Sequence, residues 1–191
     1  MIPPEQIYNV EGQRVDLTNV DLPGLILDIG GGGEGMIGRV FGERVVAIDL
    51  LRQELEEAPP GPFKIVMDAR RLQFLDATFD AATAFFALMY IANADHEQVL
   101  TEVHRVLNPG GWLLIWDVTI PAERPSNKQA LMVSLEVVLP GWTARPGYGI
   151  AWQDRHQDAR YFSQLAHRLG FEPVAQSLSD RVFTLRLRKK A

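Results

Sequence analysis

The stretch LILDIGGGGEGMIG, Leu25 to Gly38, places an acid and four consecutive glycines between an apolar run and a helix-like pattern. The run Leu25–Ile29 is short and almost continuously apolar, as expected for a strand buried on both faces of a parallel sheet. The residues after the glycines recur at helical spacing: Met36, Ile37, Val40 and Phe41. A strand, a glycine loop and a helix in this order let the backbone approach a ligand at the helix N-terminus. A flexible surface turn is the less favoured interpretation.

The chain on either side of this stretch alternates between strand-like and helix-like segments, which predicts an α/β fold. Helices are expected at RQELEEA and DHEQVLTEVHRVL, and a late helix at DARYFSQLAHRLG ends at Gly170. The final segments, FEPVAQSLS and RVFTLRLR, are separated by a short turn and predict an antiparallel hairpin. The further strands predicted are RVVAID (44–49), FKIVMD (63–68), a strand from Phe79 ending near Phe85, and WLLIWDV (112–118).

The segment 120–157 leaves this alternation. SNKQ (126–129) reads as a capping box that opens an apolar helix from Asn127 to Leu139, and 141–152 reads as a loop rich in glycine and aromatics. We expect one domain, 1–191, with 120–157 as a lid-like insertion, because irregular segments of this length are usually functional. The apolar face of the expected helix could instead be buried against a second subunit, so a homodimer stays open.

Composition narrows the function classes. There are 24 acidic and 19 basic residues, a net charge of −5, which disfavours a nucleic-acid partner and favours a small molecule. The chain has no cysteine, so disulfides and thiolate metal sites are excluded, and its four histidines show no ligand spacing. No metal site is expected. Neither a signal peptide nor an apolar run long enough to span a bilayer is seen, and a cytoplasmic location is the simplest expectation.

The glycines are compatible with two ligands. Gly30, Gly32 and Gly35 satisfy G-x-G-x-x-G, and Asp49 follows Asp28 by 49 − 28 = 21 residues, close to the spacing of a ribose-binding acid in dinucleotide enzymes. Asp28, two residues before the first glycine, would however repel a pyrophosphate. It would attract a ligand that carries an ammonium and a sulfonium group and no phosphate. S-adenosylmethionine is such a ligand.

At this point the chain resembles the class I S-adenosylmethionine-dependent methyltransferases, in particular the type 11 small-molecule subgroup. The resemblance runs from about Leu25 to Val118 and rests on five ordered motifs: LDIGGGGEG, VVAID, VMDA, FDAATAFFAL and EVHRVLNPGGWLLI. It implies a Rossmann-like α/β fold with helices on both faces of a seven-stranded, mostly parallel sheet of order 3-2-1-4-5-7-6, whose last strand is antiparallel. It also implies S-adenosyl-L-methionine as cofactor, bound by Asp28, Gly30, Gly32, Gly35, Asp49, Leu50, Asp68, Ala69 and Phe85.

In one place the sequence departs from the family pattern acid-x-G-x-G-x-G. Glu34 stands where the last glycine is usual, with Gly35 one step later. Either Gly33 or Gly35 could take the final backbone role. Glu34 could face the ligand or cap the following helix, and we favour the cap, because an acid is stabilised at a helix N-terminus.

The expected reaction is in-line methyl transfer to a small-molecule acceptor, in which alignment supplies much of the acceleration. The segment after the fourth strand reads FFALMY, so the D/N-P-P-Y/F motif of DNA-base and glutamine methyltransferases is absent. Tyr90 and His96 are weak catalytic candidates; a packing role for Tyr90 and a helix-surface role for His96 are the ordinary readings. Phe85 could equally be a core residue. The alternatives are a nicotinamide-dependent oxidoreductase and a non-catalytic S-adenosylmethionine-binding regulatory protein.

Overall fold

The structure is a computed structural model that describes residues 2–152 and 155–191. Its strands are β1 (Ile7–Asp16), β2 (Ile26–Ile29), β3 (Val45–Asp49), β4 (Phe63–Val66), β5 (Phe79–Phe85), β6 (Leu107–Val118), β7 (Ala130–Leu139), β8 (Trp142–Ala144), β9 (Gly147–Ala151), β10 (Phe171–Ser179) and β11 (Val182–Lys189). Its α-helices are α1 (Met36–Phe41), α2 (Arg52–Glu57), α3 (His96–Val106) and α4 (Ala159–Arg168), with 3₁₀ turns at Pro4–Gln6, Gly42–Arg44, Leu88–Tyr90 and Asn93–Asp95.

The main sheet has seven strands in the order β10-β11-β6-β5-β2-β3-β4. Strands β2 to β6 are mutually parallel, and β11 is antiparallel to both β6 and β10. Counting β2 to β6 as strands one to five, and β10 and β11 as six and seven, gives 3-2-1-4-5-7-6. The predicted fold class, strand order and antiparallel last strand are therefore confirmed.

Burial explains why these segments form a sheet. All four residues of β2 are buried, so its continuous apolar run packs on both faces. On one face α3 and α4 contribute Val103, Phe162 and Leu165 to a cluster that also contains Phe183 and Leu185 of β11. Phe183, Leu185 and Leu187 are fully buried, as the predicted hairpin requires. Helix α1 covers the opposite face with Met36 and Ile37.

The segment 130–151 forms strands, and the predicted helix from Asn127 to Leu139 is wrong. Strand β7 pairs in parallel with β1 and antiparallel with β8 and β9, which gives a second sheet of four strands. The helix prediction rested on the capping box and on apolar residues at helical spacing: Ala130, Leu131, Leu135, Val138 and Leu139. The three leucines also fit the period of two of a half-buried strand, and Val133 and Val137 between them are buried on the same face. The expected loop at 141–152 contains β8 and β9.

The second sheet covers the same face of the main sheet as α1. Its buried face, including Val10, Leu131 and Val133, packs in one cluster with Phe85 and Trp116 of the main sheet. Strand β1 went unpredicted, because its partner β7 lies more than 100 residues away in the chain. Within the described ranges, no helix is long and apolar enough to cross a membrane.

Candidate active site

A cavity of about 730 Å³ lies at the carboxyl ends of the parallel strands, where open α/β sheets bind ligands. Its volume lies within the usual range for small-molecule sites. The glycine loop, the ends of β3 and β5, and strand β9 of the second sheet all contribute to its wall. All nine residues predicted to bind the cofactor line it: Asp28, Gly30, Gly32, Gly35, Asp49, Leu50, Asp68, Ala69 and Phe85.

The glycine loop is packed too closely for side chains. A Cβ at Gly30 would lie 2.6 Å from the Cβ of Ala87, and Gly30 has φ +67°. A Cβ at Gly32 would lie 2.5 Å from the Cβ of Glu54 on α2. Distances this short cannot be accommodated without a backbone shift. The loop therefore presents bare backbone to the cavity, as close approach to a ligand requires.

The conformation of the loop also shows how the shifted glycine is accommodated. Both Gly33 and Gly35 have left-handed conformations, with φ +56° and φ +55°, so each position favours glycine. Gly35 is the N-cap residue of α1, and Glu34 precedes it on the cavity wall. The expectation that Glu34 caps the helix is wrong, because Glu34 lies outside the first turn and lines the cavity.

Asp28 is buried and accepts a hydrogen bond of 2.7 Å from the Thr83 hydroxyl on the neighbouring strand β5. Burial raises the pKa of Asp28 to about 7; the Thr83 bond opposes the rise and the nearby charge of Asp49 adds to it. A cation that enters the cavity stabilises the ionised form of this carboxyl, because the positive charge compensates for the hydration lost on burial.

Two further acids lie beyond the glycine loop. One carboxyl oxygen of Asp49 accepts a hydrogen bond of 2.9 Å from the backbone N–H of Leu51, which fixes the side chain and leaves the other oxygen near Gly32. Asp68 is bound by the guanidinium of Arg70 at 2.7 Å, and this hydrogen bond lowers the pKa of Asp68. Arg70 also contacts Asp95 at 3.1 Å.

Aromatic side chains form another part of the cavity wall, away from Asp49 and Asp68. The rings of Phe86 and Tyr148 stack with their centroids 5.1 Å apart and their planes 7° apart. Phe85 contacts both rings edge-on. Phe86 has φ +50°, a conformation that is costly for a bulky side chain and that neighbouring packing must hold. Strand β9 thus supplies one wall of the cavity and contacts the end of β5.

The charge of the cavity is strongly negative. Two arginines line it, Arg70 and Arg155, and Arg70 is already paired with carboxylates. Six acidic residues line it: Asp28, Glu34, Asp49, Glu54, Asp68 and Asp95. Such a cavity attracts a cationic ligand and repels a diphosphate.

The two weak catalytic candidates are placed differently. Tyr90 lines the cavity, and its hydroxyl accepts a hydrogen bond of 3.1 Å from the backbone N–H of Gly149. His96 does not line the cavity and is not on the helix surface. It is buried, with one ring nitrogen 3.1 Å from the Leu88 carbonyl and the other 3.1 Å from the Tyr161 hydroxyl. Burial lowers the pKa of His96, so a neutral structural role replaces both sequence interpretations.

Asp117 is a buried polar residue behind the site that the motifs did not indicate. Its carboxylate accepts hydrogen bonds from the backbone N–H of Met89 (3.1 Å) and Val118 (2.8 Å) and from the Gln157 side chain (2.8 Å). Burial raises the pKa of Asp117 to about 7, and these hydrogen bonds oppose the rise. Asp117 thereby joins the end of β6 to the 3₁₀ turn that carries Tyr90. Its only signal in the sequence is an acid inside an apolar strand.

Comparisons with known proteins show which family the sequence matches. The model of a methyltransferase-domain family, type 11, matches residues 27–115. A sterol 4-C-methyltransferase of Caenorhabditis elegans is 41% identical over 54 residues, which are 28% of this chain and 16% of that protein. A ubiquinone/menaquinone biosynthesis C-methyltransferase of Desulfotalea psychrophila is 40% identical over 85 residues, 42% of this chain and 34% of that protein. The matched part thus spans 16% and 34% of these two relatives.

Solved structures agree with the fold. An S-adenosylmethionine-dependent methyltransferase from Methanosarcina mazei superposes with a TM-score of 0.66 at 18% identity. The alignment covers 92% of this chain and 99% of that one. At this level of identity the likeness supports the architecture, including the parts outside the residues that the family model matches.

Proposed function

We propose that the protein transfers a methyl group from S-adenosylmethionine to a small-molecule acceptor, on the premise that residues 27–115 match the type 11 methyltransferase-domain family that the motifs indicated. The observation that carries the proposal is the acidic cavity floored by bare glycine backbone. A ligand with a sulfonium and an ammonium group fits this charge. The diphosphate of a nicotinamide cofactor does not, which disfavours the oxidoreductase alternative.

Each part of the cavity has a proposed role toward this cofactor. Asp49, at the end of β3, would bind the ribose hydroxyls with the carboxyl oxygen that Leu51 leaves accessible, and Leu50 would pack beside the nucleoside. Asp68 and Ala69 would face the adenine. The glycine loop and Asp28 would hold the amino-acid end, with the end of β5 at Phe85 opposite them.

The chemistry then depends on alignment. The sulfonium supplies an electrophilic methyl group and a good leaving group, so the protein's part is to orient the acceptor in line and exclude water. Burial raises the pKa of Tyr90 and also that of Tyr148, where the charge of Glu34 adds to the effect. Both phenols therefore stay protonated and act as hydrogen-bond donors rather than general bases. We propose that the described part of the cavity wall works by orientation.

The acceptor is proposed to be a small, largely apolar molecule. The aromatic wall of Phe85, Phe86 and Tyr148 favours such an acceptor. The names of two relatives point the same way, since one acts in ubiquinone and menaquinone biosynthesis and the other on sterols. Three further points remain predictions from the sequence: that the protein has no nucleic-acid partner, that it could form a homodimer, and that it is located in the cytoplasm.

Calorimetric titration tests the proposal directly. We expect S-adenosylmethionine and its demethylated product, S-adenosylhomocysteine, to bind one site, and NAD to bind much more weakly or not at all. Formation of S-adenosylhomocysteine in the presence of a panel of apolar acceptors then separates an enzyme from a non-catalytic cofactor-binding protein. Tighter binding of NAD than of either sulfur nucleoside would overturn the assignment.

A further inference from the structure

Glu34 stands where the family pattern has a glycine, and the structure shows where its side chain lies. The left-handed conformations of Gly33 and Gly35 flank it and turn it onto the cavity wall. Its carbonyl accepts a hydrogen bond of 2.7 Å from Nε of Arg39 on α1. The Arg39 guanidinium also lies 4.9 Å from the centre of the Trp142 ring on β8. The position of Glu34 is therefore fixed between α1 and the second sheet.

Glu34 lies toward the end of the cavity where transfer would occur. Tyr148, which stacks on Phe86 at the end of β5, shares this wall with Glu34. Burial raises the pKa of Tyr148, and the charges of Glu34 and Asp28 raise it further, so both carboxylates act on the same hydroxyl. Glu34 thus adds a second negative charge, beside Asp28, at the proposed amino-acid end.

We propose that Glu34 is a charge-selecting residue of the proposed cofactor site, whose carboxylate favours the cationic sulfonium of S-adenosylmethionine over the neutral thioether of its product. The inference rests on the proposed function and adds a specificity to it. When the methyl group leaves, the sulfur keeps the electron pair of the broken bond and loses its positive charge. The attraction to Glu34 is then lost, and the product is released more easily than the donor.

The consequence is a difference between ligands rather than a general gain in affinity. Asp28 would hold the ammonium group, which donor and product share. Glu34 would act on the sulfur, where they differ by one unit of charge. A glycine at this position, as the family pattern has it, would leave the second interaction out.

The test uses Glu34→Gln, which keeps the size of the side chain and removes its charge. Calorimetry at one pH and low salt measures the dissociation constants of three ligands. They are S-adenosylmethionine, S-adenosylhomocysteine, and an analogue in which a carbon that carries an ammonium group replaces the methylsulfonium centre. We expect the variant to weaken the two cationic ligands by about tenfold and the neutral product by less than about twofold. Its melting temperature, measured without ligand, reports whether the variant folds.

The matched control is Glu54→Gln, which removes a carboxylate of the same cavity beside Gly32 and Asp49. Glu54 and Asp49 both lie against Gly32, which puts Glu54 at the proposed nucleoside end; burial, the charge of Asp49 and then the charges of Glu57 and Glu34 raise the pKa of Glu54. This variant should change all three affinities alike. If Glu34→Gln also changes them alike, or changes none, the inference is wrong while the proposed function stands. If the unaltered protein binds none of the three, the proposed function itself fails.

Discussion

At the scale of single residues, the position of a residue along its strand predicted whether it lines the cavity better than its residue type did. The nine predicted cofactor residues line one cavity, because parallel strands end at the same edge of a sheet and the motifs mark those ends. Residues whose role depends on the second sheet could not be placed in this way. Tyr148 on β9, whose ring stacks on Phe86 at the cavity, is one of these residues.

Asp28 provides a prediction of pH dependence. Its pKa of about 7 means that the carboxyl is largely protonated below that pH and ionised above it. Because a cationic ligand binds the ionised form better, affinity for S-adenosylmethionine should rise from about pH 5.5 to about pH 7.5. Calorimetry across this range measures the slope. Asp28→Asn should bind more weakly and lose most of the slope, whereas an unchanged slope in that variant would assign the titration to another group.

At the scale of elements, local sequence patterns predicted the main sheet and failed for the second. Strands β2 and β3 are buried on both faces, so their apolar runs are unambiguous. The leucines of β7 satisfy helical and strand periods equally, and only pairing with β1 decides between them. That pairing joins segments more than 100 residues apart, so no local pattern could reveal it.

The side chain of Asp117 connects β6 to the turn that carries Tyr90 and to Gln157. Its substitution tests how much this connection stabilises the fold. In Asp117→Asn one oxygen becomes an amide that faces a backbone donor, so we expect a loss of about 1–3 kcal/mol in the free energy of unfolding. Urea denaturation measures it, with the exposed Asp21→Asn as control. A loss no larger than that of the control would show that the carboxylate is not needed for this join.

The pH dependence of this loss has a definite sign. The folded-state pKa of Asp117, about 7, lies above its usual 3.8, so its ionisation opposes folding. The stability that its protonated form contributes is complete below pH 3.8 and is lost as the pH rises to about 7. The deficit of Asp117→Asn should therefore be larger near pH 5 than near pH 8. A deficit that grows with pH would contradict this account.

At the scale of the whole molecule, the second sheet shares one face of the main sheet with α1 and reaches the cavity through β9. The expected lid at 120–157 stays a proposal, in a changed form. Strand β7 is buried against the main sheet, so we assign it to the fixed body and propose that β8 and β9 are the part of the described segment that moves.

Hydrogen exchange with and without S-adenosylhomocysteine tests whether β7 is fixed while β8 and β9 move. Amides of β7 should be protected in both states, because they lie between paired strands. Amides of 141–152 should gain protection when the ligand is added, at constant oligomeric mass. Rapid exchange in β7 would contradict its assignment to the fixed body, and protection in 141–152 that is lost on dilution to monomer would favour a dimer contact over a lid.

The central claim is that the acidic cavity holds the methyl donor with its nucleoside at Asp49 and its sulfur toward the aromatic wall. A crystal structure of the complex with S-adenosylhomocysteine measures this directly. The account predicts the ribose hydroxyls within hydrogen-bond distance of Asp49, the adenine beside Asp68 and Ala69, and the sulfur between the glycine loop and Tyr148. A nucleoside bound in the reverse orientation, or outside this cavity, would contradict it.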